Sequence, residues 1–149
     1  MKVWIDGDAC PKLIKQILFR AAMKRHVPLL IVANHVAQIP PSPWIKRVVV
    51  AHGFDAADRY IVDHIEKNDL VITSDILLAE LIIDREALAL NSKGVLYSKS
   101  NIKQAVAMRN LNESLRNNGL INNGPNPLST KDIQLFSNHL DKILTQFAQ

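Results

Sequence analysis

A chain of 149 residues, 48% of them hydrophobic, is the size of one compact domain with a substantial core. No apolar run approaches the ~20 residues of a membrane span, no basic-then-apolar leader opens the sequence, and the single cysteine, Cys10, excludes an internal disulfide, so a reducing cytoplasm is the expected compartment. The formal charge of +4 suits a nucleic-acid or phosphate partner without requiring one.

Val3–Ile5 is a short apolar run that ends in Asp6, and it reads as a buried strand. Pro11 suits the first turn of a helix, and Leu13, Ile14, Ile17, Leu18, Ala21 and Ala22 recur at helical spacing to about Arg25. Lys12, Lys15, Lys24 and Arg25 are spread around that helix, as on a solvated face. Pro28 restarts the chain, Leu29–Ala33 reads as a second buried strand, and the proline-rich Asn34–Pro43 stretch as a loop. Trp44–Ala51 supplies a third strand. Residues 53–65 carry a helical stripe of Ala57, Tyr60, Ile61, His64 and Ile65. Asp69–Asp75 gives a fourth strand with a polar end, Ile76–Glu86 a helix apolar nearly all round and so buried, and Ala87–Leu90 a fifth strand. Asn91–Gly94 is a turn, with Val95–Ser98 extending from it as a hairpin arm.

The pattern then changes. Asn101 and Gln104 have the spacing of a capping pair, ahead of a helical face of Ile102, Ala105, Met108, Leu111 and Leu115. Asn117–Pro127 is rich in turn residues. Ser129 and Asp132 cap a last helix with Ile133, Phe136, Leu140, Ile143 and Phe147 on one side. The expectation is one domain over residues 1–149, with a helical extension from about 101. Its fold class is α/β: a three-layer sandwich with a mainly parallel sheet of about five strands flanked by helices, and two C-terminal helices.

In such sheets ligands sit outside the carboxyl ends of the strands. Those ends carry Asp6 and Asp8, then Asn34, then Asp55 and Asp58 at the start of a helix, then Thr73, Ser74 and Asp75. Asp55 and Asp58, spaced i, i+3, share a helical face. Carboxylates gathered in a partly dry cleft repel one another, so they either take up protons or enclose a cation. All-oxygen ligands suit Mg²⁺ or Mn²⁺, and the chemistry that uses them is phosphoryl-ester hydrolysis. No His or Cys spacing points to zinc: His26, His35, His52, His64 and His139 are scattered and read as surface or interface residues.

Each residue also has a plainer reading. Asp8, Asp55 or Asp75 alone fits a helix N-cap, whereas Asp6 ends a strand without opening a helix. Thr73 and Ser74 either bind a metal water or phosphate or simply complete a strand end. Asn34 either orients substrate or ties its loop. Arg109 either pairs with the acids, binds phosphate or stands solvated. Cys10 reads as a structural thiol, because neighbouring carboxylates oppose a thiolate.

With these residues laid out, the chain resembles the YaiI/YqxD family over nearly its whole length. The resemblance rests on Asp6–Pro11, Val32–Asn34, Gly53–Asp58, Asp69–Ala79, Asn91–Gly94, Asn101–Ile102, Met108–Arg116 and Gly124–Pro127. That family looks like a branch of the PIN-like nucleases. The likeness implies a parallel sheet between helices and an acidic Mg²⁺- or Mn²⁺-binding pocket at the strand ends, with Asp6, Thr73 and Asp75 in the places of its strand-end acid and its T-x-D. The family usually has alanine where Gly7 stands, and proline where Leu77 and Ser92 stand.

The expected function is a Mg²⁺- or Mn²⁺-dependent nuclease or phosphoesterase acting on RNA or a nucleotide-containing substrate. Asp6, Asp8, Asp58 and Asp75 would hold the metal with Asp55 in support; Ser74 or Asn34 would orient the attacking water; Lys12 or Arg109 would hold phosphates. The alternatives are a non-catalytic RNA- or nucleotide-binding protein on the same scaffold, or an interaction protein whose acids are only caps. PIN-like proteins often associate, which allows a homodimer, although no unpaired apolar stripe in the sequence marks an interface.

Overall fold

A computed structural model describes residues 1–53, 55–120 and 127–148. In chain order its elements are β1 (Val3–Asp6), α1 (Lys12–Arg25), β2 (Leu29–Ala33), β3 (Ile45–Val49), α2 (Ala56–His64), β4 (Leu70–Ile72), α3 (Ile76–Asp84), β5 (Leu88–Leu90), β6 (Leu96–Tyr97), α4 (Ile102–Asn117) and α5 (Thr130–Phe147). The strands form one sheet in the order β3-β2-β1-β4-β5-β6. All neighbours are parallel except β5 and β6, which form the expected hairpin with Ala89 opposite Tyr97.

Alternation along the strands explains the three layers. Val3 and Ile5 point to one face, where they pack with Ile14, Leu18 and Ala22 of α1 and Phe136, Leu140 and Ile143 of α5. Trp4 points to the other, where it packs with Ile61 of α2, Leu78 and Ile82 of α3 and Ile102 of α4. Covered on both sides, the central strands are apolar without interruption. The edge strand β3 instead exposes Lys46 and Arg47, charges that discourage edge-to-edge pairing.

Local chemistry ends the elements. α1 stops at His26, whose left-handed φ of 56° sends its N–H to Ala22 O, and Pro28 follows. The Ser129–Asp132 capping box forms as expected, each side chain accepting the other's backbone N–H at 3.1 Å. In the Asn91–Gly94 turn, Asn91 Oδ1 accepts from Lys93 N and Val95 N. Gly94 has φ of 85°, and a Cβ there would lie 2.7 Å from Phe136 N, so this turn meets the α5 backbone too closely for any side chain.

Three expectations are corrected. Asn101 makes no side-chain cap with Gln104; it accepts from Ser98 N and donates to Leu96 O, tying β6 to α4. α3 is not buried all round, because Leu77 and Leu81 are exposed. The α4 face is fully buried only at Ile102, with Ala105 partly buried against the core and Met108 and Leu111 exposed, so apolar side chains do remain exposed on these two packed helices among the described residues. The expected 117–127 loop begins as a turn after Asn117, and residues 121–126 lie outside those described. Among the described residues no helix is long and apolar enough to cross a membrane.

Candidate active site

The sheet order reverses between β1 and β4. From β1 the chain moves outward through α1 to β2 and β3; from β4 it moves the other way through α3 to β5. α1 and α3 cover opposite faces, which leaves a crevice at the carboxyl ends of β1 and β4, the usual ligand position in an open α/β sheet. Ile5 is level with Ile72, so Asp6 and the Thr73–Asp75 turn leave the sheet side by side.

Asp6 shares the pleat face of Trp4 and is directed to the α2–α3 side. It is 9% exposed. Asp58 opens the first turn of α2 and is half-buried. Asp75 is the N-cap of α3, with Oδ1 accepting from Leu77 N at 3.0 Å and Leu78 N at 3.3 Å. Thr73 Oγ1 accepts the Asp75 N–H at 3.0 Å, which fixes the turn that presents Asp75. Asp75 thus keeps the capping role that its sequence position suggests and also reaches the cluster.

These three acids act on one another. The Asp6 carboxyl is pushed up to about 6 by burial, then by the charges of Asp8 and Asp75, against a hydrogen bond from the Asp8 backbone. Asp58 is pushed up to about 6 by burial, then by Asp6, Asp75 and Asp55, and by a carboxyl–carboxyl hydrogen bond to Asp75. Every charge that shifts them is negative. Asp55 adds its charge from a left-handed position, φ 64°, and its side chain makes no capping bond. Aspartate tolerates that conformation better than most residues, and strain of this kind gathers at functional sites.

The remaining candidates, Arg109 excepted, are placed apart from this core of three. Asp8 is swung toward β2 by the turn over residues 7–9, where it accepts from Asn34 N at 3.1 Å and contacts His35 Nδ1 at 3.1 Å. Asn34 therefore contributes its backbone to Asp8, and His35 joins the rim. Gly7 makes this turn tight: a Cβ there would stand 2.7 Å from Ile31 Cγ1, so alanine requires that side chain to move. Ser74 pairs with Ser92 at 3.3 Å, a contact that proline at 92 would remove. Cys10 lines the crevice with Asp6, and burial pushes its thiol up to about 12, as suits a structural residue.

Arg109 does reach the acids. A cleft of about 310 Å³ between α2, α3 and α4 is lined by Asp55, Asp58, Asp75, Leu77, Leu81 and Arg109. Arg109 is held there by Glu113, 2.7 Å away. Lys12 lies in a different recess, against the 35–40 segment.

A model of the family described as "Uncharacterized BCR, YaiI/YqxD family" matches residues 4–146. The chain belongs to the YaiI/YqxD family. It is 54% identical over 145 residues to a UPF0178 protein of Shewanella baltica strain OS223, covering 97% of each chain. It is 51% identical over 146 residues to one of Marinomonas sp. strain MWYL1, covering 98% of each, and 50% identical over 147 residues to one of Colwellia psychrerythraea, covering 99% of this chain and 97% of the relative. No solved structure matches. These names give a YaiI/YqxD kinship and no chemistry, so the function rests on the site.

The donors fit a hard divalent cation in one respect and not another. They are carboxylate oxygens with no positive charge among the groups that shift them, which is the environment such an ion relieves. Among the described residues, however, no three acidic, histidine or cysteine side chains are spaced to enclose a metal ion. The fit is therefore to an ion that keeps most of its waters and takes one or two carboxylates, as Mg²⁺ commonly does.

A pH dependence follows from the raised pKa values. Folded, Asp6 and Asp58 hold their protons to about pH 6; unfolded, they ionise near 3.8. The folded chain binds more protons across that window, so their contribution to stability is complete below it and is lost as pH rises through about 6. In EDTA, an Asp6→Asn/Asp58→Asn variant should gain about 2 kcal/mol on the parent in urea melts between about pH 4 and pH 7.5. A difference that stays constant with pH would contradict the shared, uncompensated environment.

Proposed function

We propose that this protein is a Mg²⁺- or Mn²⁺-dependent nuclease or phosphoesterase acting on RNA or a nucleotide-containing substrate. The observation that carries the reading is the convergence of Asp6, Asp58 and Asp75, from β1, α2 and α3, at the switch point of a parallel sheet. The resemblance to PIN-like nucleases, with Asp6, Thr73 and Asp75 in the matching places, supports it.

A bound divalent cation would supply Lewis-acid activation of water and neutralise charge on the phosphoryl group. Above pH ~6, where Asp6 and Asp58 ionise despite their burial, the chain would offer such an ion their carboxylates, and Asp75 and Asp55 add to the negative field that draws it in. Thr73 and the α3 N-terminus hold Asp75 in one position. Arg109, at the cleft wall, is placed to take a phosphate oxygen of the substrate. The cleft's apolar side at Leu77 and Leu81 is suited to a base or another apolar leaving group.

The second reading is a non-catalytic RNA- or nucleotide-binding protein. It draws on Asp8, which is engaged by Asn34 and His35 and so has a structural job in place of a ligand's. The experiment that separates the two is cleavage of a labelled RNA oligonucleotide and of a simple aryl phosphodiester, with Mn²⁺ or with EDTA. Turnover with Mn²⁺ that EDTA abolishes is expected. Oligonucleotide binding without turnover of either compound would leave the second reading.

A further inference from the structure

The recess that holds Lys12 differs from the others in charge. Its volume is about 560 Å³, and it lies between one face of α1 and the 35–40 segment after β2. Its polar lining is Lys12, Lys15, Gln16, His35 and Gln38, with the half-buried ring of Phe19 on its wall. That lining contains no carboxylate. The recess on the other side of α1, with Arg20 and Lys24, includes Asp141, which pairs with Arg25. The cleft at α2–α4 is acidic.

The basic recess lies beside the acidic crevice, with Asp8 between them. His35 stands on its wall and bonds through Nδ1 to Asp8, whose charge reaches Asp6. Lys15 lines it too, and the Lys15 ammonium is close enough to act on Cys10, a neighbour of Asp6. Positive side chains, amide groups and a half-buried aromatic ring along one recess are elements that hold a nucleic-acid strand: cations for phosphates, a ring for a base.

We propose that this recess binds the backbone of single-stranded nucleic acid, with the strand passing over the Asp8–His35 pair toward Asp6. Lys12 and Lys15 neutralise successive phosphates, Gln38 donates to phosphate or sugar oxygens, His35, whose Nδ1–H is given to Asp8, offers Nε2 to a sugar hydroxyl, and the half-buried Phe19 offers an edge to a base. The direction of the strand toward a scissile bond rests on the function proposed above; the binding itself does not. It makes the substrate a strand with several phosphates in place of a mononucleotide.

The test is fluorescence anisotropy of a labelled oligouridylate about twelve nucleotides long, in EDTA so that no hydrolysis enters, over about 50 to 200 mM salt. The parent should bind, and uridine monophosphate should compete poorly. Lys12→Ala/Lys15→Ala should weaken binding by about tenfold and flatten the salt dependence of log K by about 1.4, two phosphate contacts on a single strand. Arg20→Ala/Lys24→Ala removes the same charge from the neighbouring recess and should keep most of the affinity. Equal losses in the two variants, effective competition by the mononucleotide, or no binding by the parent would each overturn the proposal. Each result is read without metal, so it stands apart from the success or failure of the hydrolysis assay.

Discussion

Asp69→Ala is expected to lower stability by about 4 kcal/mol, the largest effect of any single acid in the chain. Asp69 precedes β4 at the end of the sheet opposite the acidic site, and it is 2% exposed. Its carboxylate accepts from Lys2 N at 2.9 Å, Glu66 N at 3.0 Å and the indole Nε1 of Trp4 at 3.1 Å. Alanine would leave three donors without acceptors, one of them fully buried, and open a void beside Trp4. Each orphaned donor costs about 1–3 kcal/mol. Asp69→Asn keeps one acceptor oxygen but turns an NH₂ group toward the remaining donors, so an intermediate loss is expected. Urea titration checks both: the midpoint should fall with the slope unchanged. A loss under about 1 kcal/mol for alanine would mean that water replaces the carboxylate, and that the site is more open than its burial indicates.

Asp6→Asn is expected to do the reverse. The proposed Mn²⁺-dependent hydrolysis should fall by about a hundredfold or more, while stability at neutral pH rises. Asparagine preserves the shape of a residue that burial and two neighbouring carboxylates hold in an unfavourable charged state. A structural acid, such as Asp69, loses stability on replacement; an acid kept for chemistry gains it. Rates with the RNA oligonucleotide and urea midpoints, measured on the same preparations, give both readouts. A variant that is less stable yet fully active would place Asp6 among the structural acids.

Much of this was legible in the sequence because the central strands are buried on both faces. A fully covered parallel strand is a plain apolar run, so β1, β2 and β4 are visible as words, and the polar residues that end them, Asp6, Asn34 and Thr73–Asp75, mark one rim. What was not legible depends on contacts across the fold. Asp6 and Asp8 have the same parity and would share a face if the strand ran on; the turn at Gly7 separates them, sending Asp8 to Asn34 and His35. By spacing His35 is one scattered histidine, although its place directly after Asn34, at a strand's carboxyl end, is a usable signal. Asn101 suits a helix cap by its type, but the carbonyl of Leu96 and the amide of Ser98 claim its side chain. The exposed Leu77, Leu81, Met108 and Leu111 show the limit of periodicity: it identifies a helical face, not how much of that face a neighbour covers.

The central claim is that the Asp6, Asp58 and Asp75 cluster takes a hydrated divalent cation through one or two of its carboxylates, and calorimetric titration of Mn²⁺ tests it most directly. The parent and the Asp6→Asn/Asp58→Asn variant would be titrated at about pH 7.5 and about pH 5, with folding checked for each. The account predicts saturable binding by the parent at the higher pH. It predicts binding weakened by about tenfold or more at the lower pH, where both acids are protonated, and none by the variant. Equal binding by parent and variant, or no binding by the parent at millimolar Mn²⁺, would contradict it.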